Sequence, residues 1–211
     1  ESNGEKGKKL LPDEKEKLAS RAAKGATVLL KNENSMLPLD MKKASSVALI
    51  GGIAAEGEEG NTLLDRCEAL LLAGGVGKIE KEKGYDIHKE IETNEVDCMK
   101  ALAAVRACDV AILFLGHGEE RGNDISTSHK VSLPANQLEL VDKLNPYAQK
   151  IIVVLETGFG VDVGCVEPFS AVMLAPFGVR SDASAIVDVI LGNSEPLGRL
   201  PYTLYSDIDG Y

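Results

Sequence analysis

Asp109–Leu144 reads DVAILFLGHGEERGNDISTSHKVSLPANQLELVDKL, Lys150–Val163 reads KIIVVLETGFGVDV, Ala171–Ala175 reads AVMLA, and Ser181–Tyr205 reads SDASAIVDVILGNSEPLGRLPYTLY. Three apolar runs, Val110–Leu115, Ile151–Leu155 and Ala171–Ala175, lack the polar alternation of a half-exposed strand. Such runs fit strands of a parallel sheet covered on both faces. Between and after them lie helix signals. Pro134 stands at a start, with Leu138, Val141 and Leu144 on one stripe. Ser181 is placed to cap a second helix that turns Ile186, Val189, Ile190 and Leu191 inward and ends at Gly192.

The same alternation extends backward. Val47–Ile50 is a further buried strand, followed by an acidic, glycine-rich loop. Asn61 is positioned to cap a helix bearing Leu63, Leu64, Cys67, Leu70 and Leu71, which stops at Gly74-Gly75. Val76–Ile79 predicts a short strand. Asn94–Ala107 predicts a helix with Val96, Met99, Ala103 and Leu102 toward the core. Nearer the start, Pro12-Asp13 with Glu16 has capping-box spacing for a helix whose Leu18, Ala22 and Ala23 share a face and which ends at Gly25. Thr27–Lys31 is a β-type run, and Leu37-Pro38-Leu39 is an extended connector. Residues 1–11 are polar, glycine-containing and lysine-rich and are expected to be loose, leaving 12–211 as a single domain. Strands alternating with helices imply an α/β fold: a three-layer sandwich with a mostly parallel central sheet covered by helices on both faces. Ligands of such folds sit at the carboxyl ends of the strands, here the loops at 51–60, 116–133, 157–164 and 176–181.

Composition narrows the classes. A chain of 211 residues is long enough to bury about 70% of its unfolded surface. A formal net charge of -10 disfavours a nucleic-acid partner, because phosphate binding needs a basic face. No stretch reaches the ~20 apolar residues of a membrane helix. The chain starts at Glu1, so a removed segment is expected, and no signal peptide stands in this numbering. The four cysteines, Cys67, Cys98, Cys108 and Cys165, are widely spaced without a Cys-x-x-Cys pair, so buried free thiols are expected and no metal site. Gly158-Phe159-Gly160-Val161-Asp162-Val163-Gly164 follows a strand but places its third glycine one residue late for a dinucleotide fingerprint. His117 after a strand invites a hydrolase reading, yet no Gly-x-Ser-x-Gly elbow supplies a nucleophile. His88 and His129 are expected to face solvent. A small-molecule sensor using the strand-end cleft is a further, weaker option.

The wording of these segments resembles the C-terminal α/β-sandwich domain of glycoside hydrolase family 3, the β-glucosidase type. The resemblance rests on Ala26–Glu33 (ATVLLKNE) followed by Leu37-Pro38-Leu39, on Val47–Gly51 and Cys108–Ala111, and on Ser132-Leu133-Pro134 with Gln137. It continues through Ile152–Leu155 and Asp188–Gly192 to Pro196–Thr203, PLGRLPYT. It implies a retaining mechanism on β-linked glycosides, with two carboxylates about 5–5.5 Å apart. It places the nucleophile on a separate (β/α)8 barrel and the general acid/base on a glutamate in the loop before the Leu-Pro helix. By that correspondence Glu119 and Glu120 are the acid/base candidates, and His117, Asp124, Phe159 and Phe177 are candidates to line the substrate. It implies no cofactor and weakly favours an extracellular or secretory setting.

Two segments depart from the family pattern. Its usual E-G-x-D-R is here Glu120-Arg121-Gly122-Asn123-Asp124, and its P-G-x-E-G-G is Pro176–Asp182, PFGVRSD. There is no Trp for stacking on a sugar ring; Phe159, Phe177, Tyr85 and Tyr147 are the remaining aromatic candidates, and core packing or surface exposure is the readier role for each. A barrel typically needs about 250 residues, and none is present in these 211. Two readings follow. In one, the chain contributes substrate-site loops to a glycosidase whose barrel lies elsewhere, and is inactive alone. In the other, it is a non-catalytic binding or assembly module that kept the sandwich, with an apolar face covered by a partner surface or a second copy.

Overall fold

The computed structural model describes residues 11–89, 95–117, 131–158, 160–175, 182–204 and 206. Six strands, β1 (Val28–Asn32), β2 (Ser46–Ile50), β3 (Lys78–Glu82), β4 (Val110–Gly116), β5 (Ile151–Glu156) and β6 (Ala171–Ala175), form one sheet in the order β1-β6-β5-β4-β2-β3. All neighbouring pairs are parallel except β1 with β6. The helices are α1 (Pro12–Ala26), α2 (Leu63–Ala73), α3 (Glu95–Ala107), α4 (Ala135–Leu144) and α5 (Asp182–Leu191).

Alternate residues of each central strand enter two cores. Ala48, Ile50, Ala111, Leu113, Leu115, Val153 and Leu155 pack with α3 and α4 on one face. Val47, Leu49, Ile112, Phe114, Ile152 and Val154 pack with α2 and α5 on the other. With every residue of β4 and β5 buried, the uninterrupted apolar runs have their physical reason. The three-layer, mostly parallel sandwich expected from the sequence is the architecture found.

Local expectations were less accurate. Thr62, not Asn61, caps α2: its hydroxyl accepts from the Asp65 N–H at 3.1 Å, and the Asp65 carboxylate accepts from the Thr62 N–H at 3.0 Å. Helix α1 opens at Pro12 as expected, but its capping pair is Leu11 and Glu14, not Asp13 and Glu16: the Glu14 carboxylate accepts from the Leu11 N–H at 2.9 Å, and the helix runs to Ala26 instead of stopping at Gly25. Of its expected face only Ala23 is buried; Leu18 and Ala22 are exposed. Strand β3 lies at the sheet edge two residues later than Val76, and its Lys-Ile-Glu-Lys-Glu run suits an edge that must not pair with another chain. The face assigned to α3 is reversed except at Leu102, which packs half-buried against the core: Cys98, Ala101, Ala104 and Val105 are buried, while Val96 (62%) and Met99 (53%) are exposed, as is Ala103. Small side chains won the buried side because α3 lies close against the sheet and α4, where larger ones lack room.

The Pro196–Thr203 stretch is the seat of the chain's end. Gly198 N–H donates to the Thr27 carbonyl at 2.9 Å, and a Cβ there would stand 2.6 Å from that oxygen and 2.7 Å from the Ala26 oxygen. Only glycine allows this approach. The Arg199 guanidinium donates to the Gly198 carbonyl at 2.8 Å, and Tyr202 packs half-buried against the core.

Candidate active site at the carboxyl ends of β4 and β5

The sheet order creates a switch point between β2 and β4. The chain leaves β2 outward toward β3, returns to β4, and then moves the other way toward β5. The helices after β2 and β4 lie on opposite faces, so a crevice opens between the two strand ends, where open α/β sheets usually bind ligands. Here two side chains fill it. The β2–β4 register ends at Ile50 opposite Leu113. Beyond it the Tyr85 hydroxyl, fully buried, donates to the Phe114 carbonyl at 2.9 Å and accepts from the Ile53 N–H at 3.3 Å. One step further, Gln137 grips Gly116 on both backbone groups: its amide nitrogen donates to the Gly116 carbonyl at 2.7 Å, and its oxygen accepts from the Gly116 N–H at 3.0 Å. Burial pushes the Tyr85 phenol well above its ordinary range, and the Glu156 charge adds to the shift.

On the β5 side, Gly116 lies opposite Glu156, and the His117 N–H donates to the Glu156 carbonyl at 3.3 Å. A Cβ on Gly116 would stand 1.9 Å from that same oxygen, and its φ of +153° lies where side chains are rarely tolerated. The His117 ring is buried, and its Nε2 lies 3.2 Å from the Ser132 carbonyl. A carbonyl only accepts, so Nε2 carries the hydrogen. Val131 O in turn accepts from the Asp162 N–H at 2.9 Å, and the Asp162 carboxylate accepts from the Gly164 N–H at 2.8 Å. The described residues that flank 118–130 are therefore tied, His117 to the end of β5 and to Ser132, and Val131 to the loop after β5.

A third buried group belongs to this end of the sheet. Asn136 donates to the carbonyls of Asp86 at 2.8 Å and Lys89 at 3.1 Å, which fixes its amide orientation. Its buried Oδ1 finds no hydrogen-bond partner among the described residues. His117, Asn136, Gln137, Glu156 and Thr157 are all buried polar residues at one end of the sheet.

Of the residues predicted as site residues, His117 stands in this cluster. Glu119, Glu120, Asp124, Phe159 and Phe177 lie outside the described residues, as does His129. His88 is exposed, 3.9 Å from a Glu56 carboxylate oxygen. Tyr85 belongs to the core, and Tyr147 is held by the Arg106 guanidinium, whose Nε donates to its hydroxyl at 2.7 Å. The Gly158–Gly164 stretch leads into a bridge and a short 3-10 turn (Gly164–Val166), not into an α-helix, so the phosphate-binding geometry of a dinucleotide site is not formed there. Among the described residues no group of three or more His, Cys, Asp or Glu is gathered to hold a metal, and no helix is long and apolar enough to cross a membrane. Cys67, Cys98, Cys108 and Cys165 are free thiols. Sequence reasoning missed Asn136 and the roles of Gln137 and Tyr85. Gln137 after Leu133-Pro134 was visible as a motif position, but its partner was not, since a backbone group leaves no mark in the sequence.

Comparison with known proteins agrees with this architecture. Residues 27–211 match the model of the glycosyl hydrolase family 3 C-terminal domain. The chain is 31% identical over 202 residues to thermostable beta-glucosidase B of Acetivibrio thermocellus, covering 90% of this chain and 26% of that protein. It is 29% identical over 201 residues to a probable exo-1,4-beta-xylosidase of Aspergillus terreus, covering 91% and 26% respectively. Among solved structures, a beta-glucosidase from Listeria innocua superimposes with a TM-score of 0.75 at 24% identity, covering 92% of this chain and 27% of that one. A family 3 beta-glucosidase from Bifidobacterium adolescentis gives 0.72 at 23%, covering 90% and 29%. The chain spans about a quarter of the length of the curated relatives it matches, which are larger proteins. A match over nearly the whole chain, on the sandwich described above, settles the family: the chain belongs to the glycosyl hydrolase family 3 C-terminal domains.

Proposed function

We propose that this domain completes the active site of a retaining β-glycosidase. A (β/α)8 barrel outside these 211 residues supplies the nucleophile, and Glu119 or Glu120 serves as the acid/base. The tied roots of the 118–130 segment carry this reading. A general acid must be held within hydrogen-bond reach of the leaving oxygen, and a loop anchored at His117–Ser132 and Val131–Asp162 has the fixed base that such placement needs. His117, Asp124, Phe159 and Phe177 are assigned to the substrate side, and the substrate class is a β-linked glucoside or xyloside, as the names of the relatives suggest. No cofactor takes part, and a secretory or extracellular setting goes with the reading. The chain by itself turns over no glycoside, because it holds one carboxylate of the required pair.

The experiment pairs the chain, fused or mixed, with a family 3 barrel and assays aryl β-glucoside and β-xyloside. Activity is expected only in the pair. In the active pair, Glu119→Gln or Glu120→Gln lowers kcat by about 10²–10⁴-fold. The loss is smaller for a dinitrophenyl leaving group, which needs no proton. Turnover by the isolated chain, or full activity in both variants, refutes the assignment. A second reading, a non-catalytic assembly module, is favoured by Val96 and Met99, large apolar side chains exposed on one helix. It calls for a partner surface or a second copy of the chain there. Sedimentation of the chain as a strict monomer, unchanged by Val96→Lys, counts against a second copy.

A further inference from the structure

We infer that Gln137 is a positioning residue for the acid/base segment, acting as a substitute strand at the end of β4. The inference rests on the proposed role of Glu119 and Glu120. In a parallel ladder, alternate residues of a strand face each neighbour. The His117 N–H faces β5, so Gly116 and Phe114 turn their backbone groups toward β2. Strand β2 stops pairing after Ile50 opposite Leu113. Without a replacement, the Phe114 carbonyl and both Gly116 groups would be buried and unpaired. Tyr85 takes the first at 2.9 Å and Gln137 takes the other two at 2.7 and 3.0 Å. A carboxamide presents one donor and one acceptor side by side, as a strand's backbone does, so it can pair with both groups of one residue.

The location gives the clamp its use. Gly116 is the last residue of β4, and Glu119 and Glu120 follow three and four residues later in the chain. Gly116 is pressed from the β5 side by Glu156 O, where a Cβ would come within 1.9 Å. It is thus held between a backbone wall and a carboxamide. Gln137 lies on the first turn of α4, a rigid element whose Leu140, Val141 and Leu144 are in the core. Asn136, its neighbour, ties the 86–89 turn to the same helix start. The clamp thereby refers the root of the loop to the helix and the sheet at once.

The test uses Gln137→Met, which keeps length and volume and removes both hydrogen bonds. In the 211-residue chain, amide hydrogen exchange at Gly116 should accelerate about 10-fold, while Leu113 on the same strand stays within about twofold. In the active barrel pair, kcat should fall at least about 10-fold with KM within about twofold, the alkaline limb of the pH–rate profile should move, and Gln137→Asn should restore part of the rate. Gly116 exchange within about twofold of wild type overturns the clamp. Unchanged kcat and pH profile, with Gly116 exchange accelerated, overturns the positioning role. The glutamate variants fail or succeed independently: full activity in both refutes the acid/base reading, while the Gly116 exchange still decides the clamp.

Discussion

Replacing Tyr85 with Phe isolates the energetic worth of the substitute ladder, because the ring stays and only the hydroxyl goes. Tyr85 is fully buried, so no solvent reaches the vacated oxygen position. Two backbone groups lose their partner: the Phe114 carbonyl, bonded at 2.9 Å, and the Ile53 N–H, bonded at 3.3 Å. An orphaned buried group costs about 1–3 kcal/mol. The longer bond belongs to half-buried Ile53 and counts at the low end, so the total is about 2–3 kcal/mol. For a chain of this size that is a drop in Tm of about 5–10 °C. Urea unfolding at pH 7 should show the loss in the midpoint with the m value unchanged, since the same surface is exposed on unfolding. The pH dependence supplies a second check. The folded phenol is held well above its ordinary range by burial, so the unfolded chain loses that proton first. The stabilisation is complete below about pH 10 and declines as pH rises further. The gap between wild type and Tyr85→Phe should therefore narrow above pH 10. A loss below about 0.5 kcal/mol at pH 7, or a gap that widens in alkali, refutes the substitute-ladder account.

Gly116→Ala should destabilise by about 3–5 kcal/mol, from a strained φ and a Cβ overlapping the Glu156 oxygen; urea unfolding within about 1 kcal/mol of wild type would contradict the close packing of β4 on β5. Asp65 is held at about 2 by the Lys81 ammonium and by the Thr62 hydroxyl and N–H. Its contribution, about 1 kcal/mol at a largely solvated site, is present above about pH 4 and lost as pH falls toward 2, so Asp65→Asn and wild type should converge in acid and differ at pH 6. Burial, with Asp162 adding to it, pushes the Cys165 thiol up to about 11; iodoacetamide at pH 8 should modify it far more slowly in the native chain than in urea.

What the sequence made legible was what apolar period encodes. The runs at β4, β5 and β6 could only be strands covered on both faces, and the helices between them forced a parallel sheet. The reversed face of α3 shows the limit. Val96 and Met99 outrank Ala101 and Ala104 in hydrophobicity, but close approach to the sheet selects small side chains, and closeness is a tertiary property. Capping failed for a similar reason: Asn61 and Thr62 are both good caps, and the choice fell to Thr62, whose hydroxyl pairs with Asp65 while Asp65 also meets Lys81 from β3. The site was half legible. His117 was recognisable because it follows a buried strand. The clamp was not, because Gln137 and Tyr85 bond to main-chain atoms that every residue type shares.

The buried polar groups at this end of the sheet bear on whether the domain is a scaffold alone. A sheet whose only task is to be stable gains nothing from ending β2 early and completing β4 with two side chains, since a longer β2 would satisfy the same backbone groups with its own. Asn136 makes the contrast sharper: it satisfies two carbonyls of the 86–89 turn, yet among the described residues its own buried oxygen finds no partner, an arrangement that costs about 1–3 kcal/mol. Ending β2 early does accomplish something else. It lets the chain turn away at Gly51-Gly52 and leaves the tip of β4 paired with a strand on one side only, so that the tip is shaped by the first turn of α4. Local departures from the most stable arrangement gather where a structure serves a function. Here they gather at the tip of β4 and the first turn of α4, the described elements on which the proposed role of Glu119 or Glu120 depends. On the proposed function, Asn136→Leu, which removes that buried acceptor, should leave urea stability within about 1 kcal/mol of wild type despite losing two hydrogen bonds, while impairing turnover in the barrel pair. A loss of more than about 3 kcal/mol would show that Asn136 serves stability first and would remove it from the functional account.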